Sequence, residues 1–122
     1  MPHTYTLPFP PSVNAIWRAV AARVVLSAQA RAWLKAAHNA LPAGRVTPPL
    51  RGRLEVAITL HAPAAMGAKA WDIFNREKLL CDFLTKERVW LDDSQIDVGH
   101  VYRGAPDAGR GRVTIEIREI AR

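Results

Sequence analysis

The segment 53–61, RLEVAITLH, alternates polar and apolar residues with a period of two. At that period Leu54, Val56, Ile58 and Leu60 share one face of a strand while the polar partners share the other. A strand of this kind must bury one side, so the chain needs further elements to cover it. The run 111–119, GRVTIEIRE, repeats the pattern with Val113, Ile115 and Ile117 facing one way. The segment 97–104, DVGHVYRG, reads as another strand, and the glycine-rich stretch GAPDAGRG between the two suits a long hairpin.

The rest of the chain supplies the cover. TYTLPFPPSVN begins as a strand over residues 4–7, and Pro8, Pro10 and Pro11 then force an extended or turning path. RVVLS, residues 23–27, is a short β-branched run. Its Ser27 can cap the helix suggested by AQARAWLKAAHNAL, in which Trp33, Leu34, Ala37 and Leu41 recur at helical spacing. Residues 42–52 carry three prolines and two glycines and form a connector. A second helix is expected from about residue 72 to 86, followed by WLDDSQI. The expected order is β-β-α-β-α-β-β, a mixed α/β (α+β) sheet in one small domain spanning residues 1–122, without a nucleotide-binding glycine fingerprint.

Charge narrows the function. The chain carries a formal net charge of +6, which points toward a polyanionic partner, and its distribution is uneven. Residues 1–54 contain no Asp or Glu but hold Arg18, Arg23, Arg31, Lys35, Arg45, Arg51 and Arg53, whereas seven of the eleven acids lie between Asp72 and Asp97. A basic frame around a compact acidic segment is what metal-assisted cleavage of phosphate esters needs, with cations for the backbone and carboxylates for the ion. No apolar run is long enough to span a membrane and the N-terminus does not resemble a secretory signal, so a cytosolic setting is expected. Cys81 alone makes no internal disulfide or multi-cysteine zinc site and reads as a small core residue. The four histidines lack ligand spacing.

KAWDIFNREKLLCDFL, residues 69–84, concentrates the chemistry. At about 100° per residue with Asp72 at 0°, Asn75 falls near ~300°, Lys78 near ~240° and Asp82 near ~280°, one polar arc opposite Ile73, Leu80 and Leu84. Phe74 comes out at the edge of that arc. Asp92 and Asp93, following an anchoring Trp90, could return carboxylates toward it, where Lys78 could orient a water or neutralise developing phosphorane charge. By themselves the face also reads as solvated helix surface and DDSQ as a turn or helix cap.

The ordered set LPFPPSVN, then RGRLEVAITL, then DIFNREKLLCDFLT, then VWLDDSQI, then GRVTIEI resembles the RusA-type Holliday junction resolvases over nearly the whole chain. The resemblance implies a homodimer that uses Mg²⁺ or Mn²⁺, binds four-way junction or other branched DNA and makes paired symmetric nicks. Its setting would be the bacterial cytoplasm in a phage or prophage context. The family's helix normally reads D-x-D-N-x-x-K, joined by the second aspartate of a later D-D pair. Asp72, Asn75, Lys78 and Asp93 match those positions, making Asp72, Lys78 and Asp93 the expected catalytic residues and Asp72 and Asp93 the expected metal ligands. Phe74 stands where the second helix aspartate belongs; with Asn75, Asp82 and Asp92 it is expected to shape the site. Cleavage is therefore expected to be weakened or absent, the alternative being a non-catalytic branched-DNA-binding module. Arg18, Arg23, Lys69, Trp71, Arg103, Arg110 and Arg112 are the expected DNA contacts, with Trp71 either stacking on an unpaired base or anchoring the start of the helix.

Overall fold

In the computed structural model, residues 2–20, 23–42, 48–66 and 69–121 are described. Their elements are β1 (His3–Pro8), β2 (Trp17–Val20), β3 (Arg23–Leu26), α1 (Ala28–Ala40), β4 (Arg53–His61), α2 (Glu77–Lys86), β5 (Ile96–Arg103) and β6 (Arg112–Ile120). Four strands form a mixed sheet in the order β1-β6-β4-β5, and β2 and β3 form a separate antiparallel pair. The mixed α+β class is as expected. One strand, β2, was not foreseen; WRAV has little alternation, and its ladder with RVVL forms through backbone pairing of Trp17 with Leu26 and Arg18 with Val25.

The alternation in 53–61 holds along its whole length. Leu54, Val56, Ile58 and Leu60 are buried, as are Val113, Ile115 and Ile117 on the neighbouring β6. These side chains, with Trp33 and Ala37 of α1 and Leu79, Leu80, Phe83 and Leu84 of α2, make one hydrophobic cluster. Full burial of each large apolar side chain contributes about 1.5–3 kcal/mol, so the helices are held by this face rather than by propensity. Ser27 caps α1 as its sequence predicts, its Oγ accepting from the Ala30 N–H at 3.1 Å. On the sheet's other face Glu55 and His100 meet at 2.9 Å, and His100 stacks on Tyr102.

Two expectations change. β5 and β6 do not form a hairpin: β5 runs parallel to β4 and β6 antiparallel to it, one on each side. The chain crosses the end of β4 through residues 104–111. Asp107 fixes the crossing, its backbone exchanging hydrogen bonds with Ala62 and Ala64. Its carboxylate meanwhile accepts from the Gly109 and Gly111 N–H groups and from Arg112 at 2.6 Å. Gly111 sits at φ +88, where a side chain would be strained and would press on Pro63 and Phe9. The second helix begins at Glu77 rather than near residue 72. Of the connector at 42–52, residues 43–47 lie outside the described ones.

The Asp107 carboxylate is held below its ordinary range, first by the Gly111 N–H and then by Arg112 and Gly109. A depressed folded-state pKa means that its stabilisation is fully present above the unfolded carboxylate's pKa, about 4, and disappears as pH falls through the folded value. Thermal melts should therefore separate the parent from Asp107→Ala at pH 7 and bring the two together as pH falls through the folded-state value. A gap independent of pH would show that the carboxylate does not hold this crossing.

Candidate active site

The segment expected to open the second helix is a loop, and Asn75 is the cause. Its φ of +86 lies in the left-handed region, which asparagine tolerates better than most residues and which no α-helix can continue through. Asp72, Phe74 and Asn75 are all exposed on this loop, so the helical arc drawn from Asp72 applies only from Glu77 onward.

The proline-rich N-terminal segment holds the loop in place. The Val13 N–H donates to the Asn75 carbonyl at 2.5 Å, and the Arg76 guanidinium donates to the Pro10 carbonyl at 2.7 Å while lying 4.7 Å from the Phe9 ring centroid. Burial lowers the pKa of that guanidinium, and its Nε has no partner among the described residues. Phe9 meets Trp71 edge to face at 5.5 Å, and the Trp33 indole N–H donates to the Pro8 carbonyl. LPFPPSVN and DIFN therefore occur together because one is the seat of the other. Trp71 is an anchor: the Arg103 guanidinium lies over its ring at 4.0 Å and donates to its carbonyl.

The first turns of α2 carry the charged groups. Lys78 Nζ meets Asp82 Oδ1 at 3.1 Å, an i,i+4 pair on the solvent side of the helix. The Lys78 pKa is raised, chiefly by the hydrogen bond to Asp82, then by that residue's charge, with a further contribution from Asp93. Cys81 is pushed up to about 12 by burial, and next by the charge of Asp93. The turn that bears Asp93 packs against α2, and the charge of Asp93 acts on both groups. Among the described residues, no group of three or more His, Cys, Asp or Glu side chains is arranged to hold a metal ion.

Asp93 owes its position to two neighbours. Asp92 caps a 3₁₀ turn (Asp93–Gln95), accepting from the Ser94 N–H at 3.0 Å, and its pKa is lowered first by the Ser94 hydroxyl and then by that N–H. Gln95 is buried, and its amide donates to the carbonyls of Leu50 and Gly52 while its oxygen accepts from the N–H groups of Leu91 and Asp92. The turn-or-cap reading of DDSQ thus holds for Asp92, and Asp93 is left half-buried beside it. Gln95 was missed, although the spacing D-x-x-Q is a capping-box signal that would have found it. Arg76 and Trp17 were also missed; no periodicity marks either.

The expected DNA contacts divide. Lys69, Trp71 and Arg103 line one cleft of about 500 Å³. Arg18 is exposed on β2 and Arg110 on the crossing loop, Arg112 is paired with Asp107, and the side chain of Arg23 lies outside the described part of the chain.

Residues 8–118 match the family model described as Endodeoxyribonuclease RusA. The chain is similar to the crossover junction endodeoxyribonuclease RusA of Escherichia coli (strain K12), 29% identical over 118 residues that cover 97% of this chain and 95% of the relative. It is likewise similar to the protein of that name from Enterobacteria phage 82, 30% identical over 115 residues, 94% and 92% of the two chains. The protein of that name from Shigella sonnei (strain Ss046) is 29% identical over 118 residues, 97% and 95% of the two chains.

Proposed function

Because this chain belongs to the RusA endodeoxyribonuclease family, whose members hydrolyse phosphodiester bonds in DNA, we propose that it is a structure-selective nuclease of four-way junctions. The reading takes residues 1–122 as one domain, supported by a hydrophobic cluster that joins both helices to the four-stranded sheet among the described residues. Paired nicks on opposed strands require two sites related by a two-fold axis, hence a homodimer. No helix among the described residues is long and apolar enough to cross a membrane, which agrees with a cytoplasmic enzyme in a bacterial, phage or prophage setting.

The observation that carries the proposal is the charge cluster on α2: Lys78 hydrogen-bonded to Asp82 within the field of Asp93, with exposed Asp72 on the loop just before it. Lys78 is exposed and charged at neutral pH, and its ammonium can face the equatorial oxygens of a phosphorane as negative charge builds there. Asn75 holds the loop that presents Asp72, and the Gln95 turn presents Asp93. Mg²⁺ and Mn²⁺ keep several waters and need only one or two acids beside the substrate phosphate, and Asp72 and Asp93 are the acids that match the family pattern. Held by Asp72 and Asp93, such an ion would supply Lewis-acid polarisation of the phosphate and an acidified water.

A second reading, a branched-DNA-binding module without cleavage, is favoured by Phe74. Its ring is 63% exposed, an apolar surface where the family pattern has an acid. The experiment is incubation with a synthetic four-way junction, with and without Mg²⁺ or Mn²⁺, across a salt series. Both readings expect binding that weakens with a log-log slope of about −0.9 per neutralised phosphate. Metal-dependent nicks at symmetric positions support the nuclease, intact DNA in a tight complex supports the module, and no binding even at low salt removes both.

A further inference from the structure

Trp17 differs from the other three tryptophans in its exposure. Trp33 and Trp90 are buried and Trp71 is clamped under Arg103, yet Trp17, on β2, is 57% exposed. It forms one wall of a cleft of about 220 Å³ between the β2–β3 pair and the two helices. Leu26, Leu34 and Phe83 contribute apolar surface to that cleft, and Lys78, Asp82 and Lys86 bring charge to it. The cleft therefore contains the same lysine that the nuclease reading sets against the scissile phosphate.

We infer that this cleft holds one unstacked nucleobase of a branched DNA, with the Trp17 indole against its face and Lys86 on a flanking phosphate. The inference rests on the DNA-cleaving reading above. A flat aromatic base suits a largely apolar cleft of this size with an indole wall, and base-on-aromatic stacking tolerates any sequence because every base has a π-face. Charge favours the same occupant. Asp82 is matched by Lys78, whereas Lys86 has no ion-pair partner among the described residues, leaving net positive charge beside an apolar floor. Nucleotides of intact duplex are stacked and paired and cannot enter; those at a branch point are released at less cost. Trp17 would thus act as a branch-sensing contact adjoining the cleavage chemistry.

The test compares the parent with Trp17→Ala and Trp17→Phe, binding a four-way junction and a linear duplex without divalent ions. Trp17→Ala should lose roughly 5- to 150-fold in junction affinity with its salt slope unchanged, since stacking releases no counterions, while duplex affinity stays the same. Trp17→Phe should recover most of the loss. With 2-aminopurine placed at each branch-adjacent position in turn, one position should be brighter in the saturated Trp17→Ala complex than in the parent complex, because the extruded base no longer stacks on indole. Equal junction affinities for parent and Trp17→Ala, or an equal loss on duplex, would overturn the inference and leave the nuclease reading standing. So would a change in the oligomeric state of the DNA-free protein, which would mean that a second copy fills the cleft. Failure of the parent to bind any branched DNA would remove the nuclease reading and this inference together.

Discussion

Replacing Phe74 by aspartate should raise metal-dependent cleavage of a four-way junction by at least about 10- to 100-fold. That range is what losing a group one shell out from a metal typically costs, and a direct oxygen ligand is worth no less. The substitution adds one negative charge and up to two oxygen donors beside Asp72, and it removes a phenyl ring from water. Stability should scarcely respond: the ring is 63% exposed and does not belong to the hydrophobic cluster, and surface changes of this kind usually stay within about ±0.5 kcal/mol. Without metal the new carboxylate repels phosphate, so junction affinity in chelator should fall slightly while affinity in Mg²⁺ rises. Single-turnover cleavage across a Mg²⁺ titration checks this, with the metal midpoint expected to move to lower concentration. If the parent and Phe74→Asp are equally inert while both bind the junction, position 74 does not face the ion and the proposed ligand set is wrong.

Why position 74 could be found by pattern but not placed by periodicity is a matter of one residue. The strands at 53–61 and in the C-terminal run were legible because a half-buried strand repeats its environment every second residue, and the sheet imposes that repeat on Leu54 to Leu60 and on Val113 to Ile117. The same counting failed at residues 72–76. An angular wheel assumes continuous helical dihedrals, and Asn75 at φ +86 interrupts them. The N-terminal prolines that seat the loop lie more than sixty residues upstream, beyond any local period. The crossing at 104–111 was misread for a related reason: glycine-rich stretches signal a turn but not which strands it joins, and here Asp107 ties the turn to the end of β4 instead of closing β5 on β6. Charge pattern did better than geometry with the site, bringing Lys78, Asp82 and Asp93 into consideration before their proximity was visible. It could not see Gln95, which is uncharged and acts through the backbone.

Gln95→Leu is the substitution from which the largest loss of stability is expected. The buried Gln95 amide satisfies four backbone groups at once, the carbonyls of Leu50 and Gly52 at 3.0 and 2.9 Å and the N–H groups of Leu91 and Asp92 at 2.8 Å each. Leucine fills nearly the same volume but leaves all four without their partner. An unsatisfied buried polar group costs about 1–3 kcal/mol, and water can reach some of these, so a total of about 3–5 kcal/mol is expected, a fall in Tm on the order of 10–20 °C. The loss would not be uniform. Gln95 ties the turn bearing Asp93 to the segment entering β4, and Trp90, fully buried with its indole N–H on Thr85, holds the other side through α2. With one tie cut, the turn that carries Asp93 is no longer held rigidly beside α2. In the Phe74→Asp background, cleavage should therefore drop at temperatures well below the new Tm, while junction binding, which depends on basic residues elsewhere, remains near the parent value. Binding and cleavage falling together, in step with the unfolded fraction, would show that Gln95 supports the fold alone and does nothing particular for Asp93.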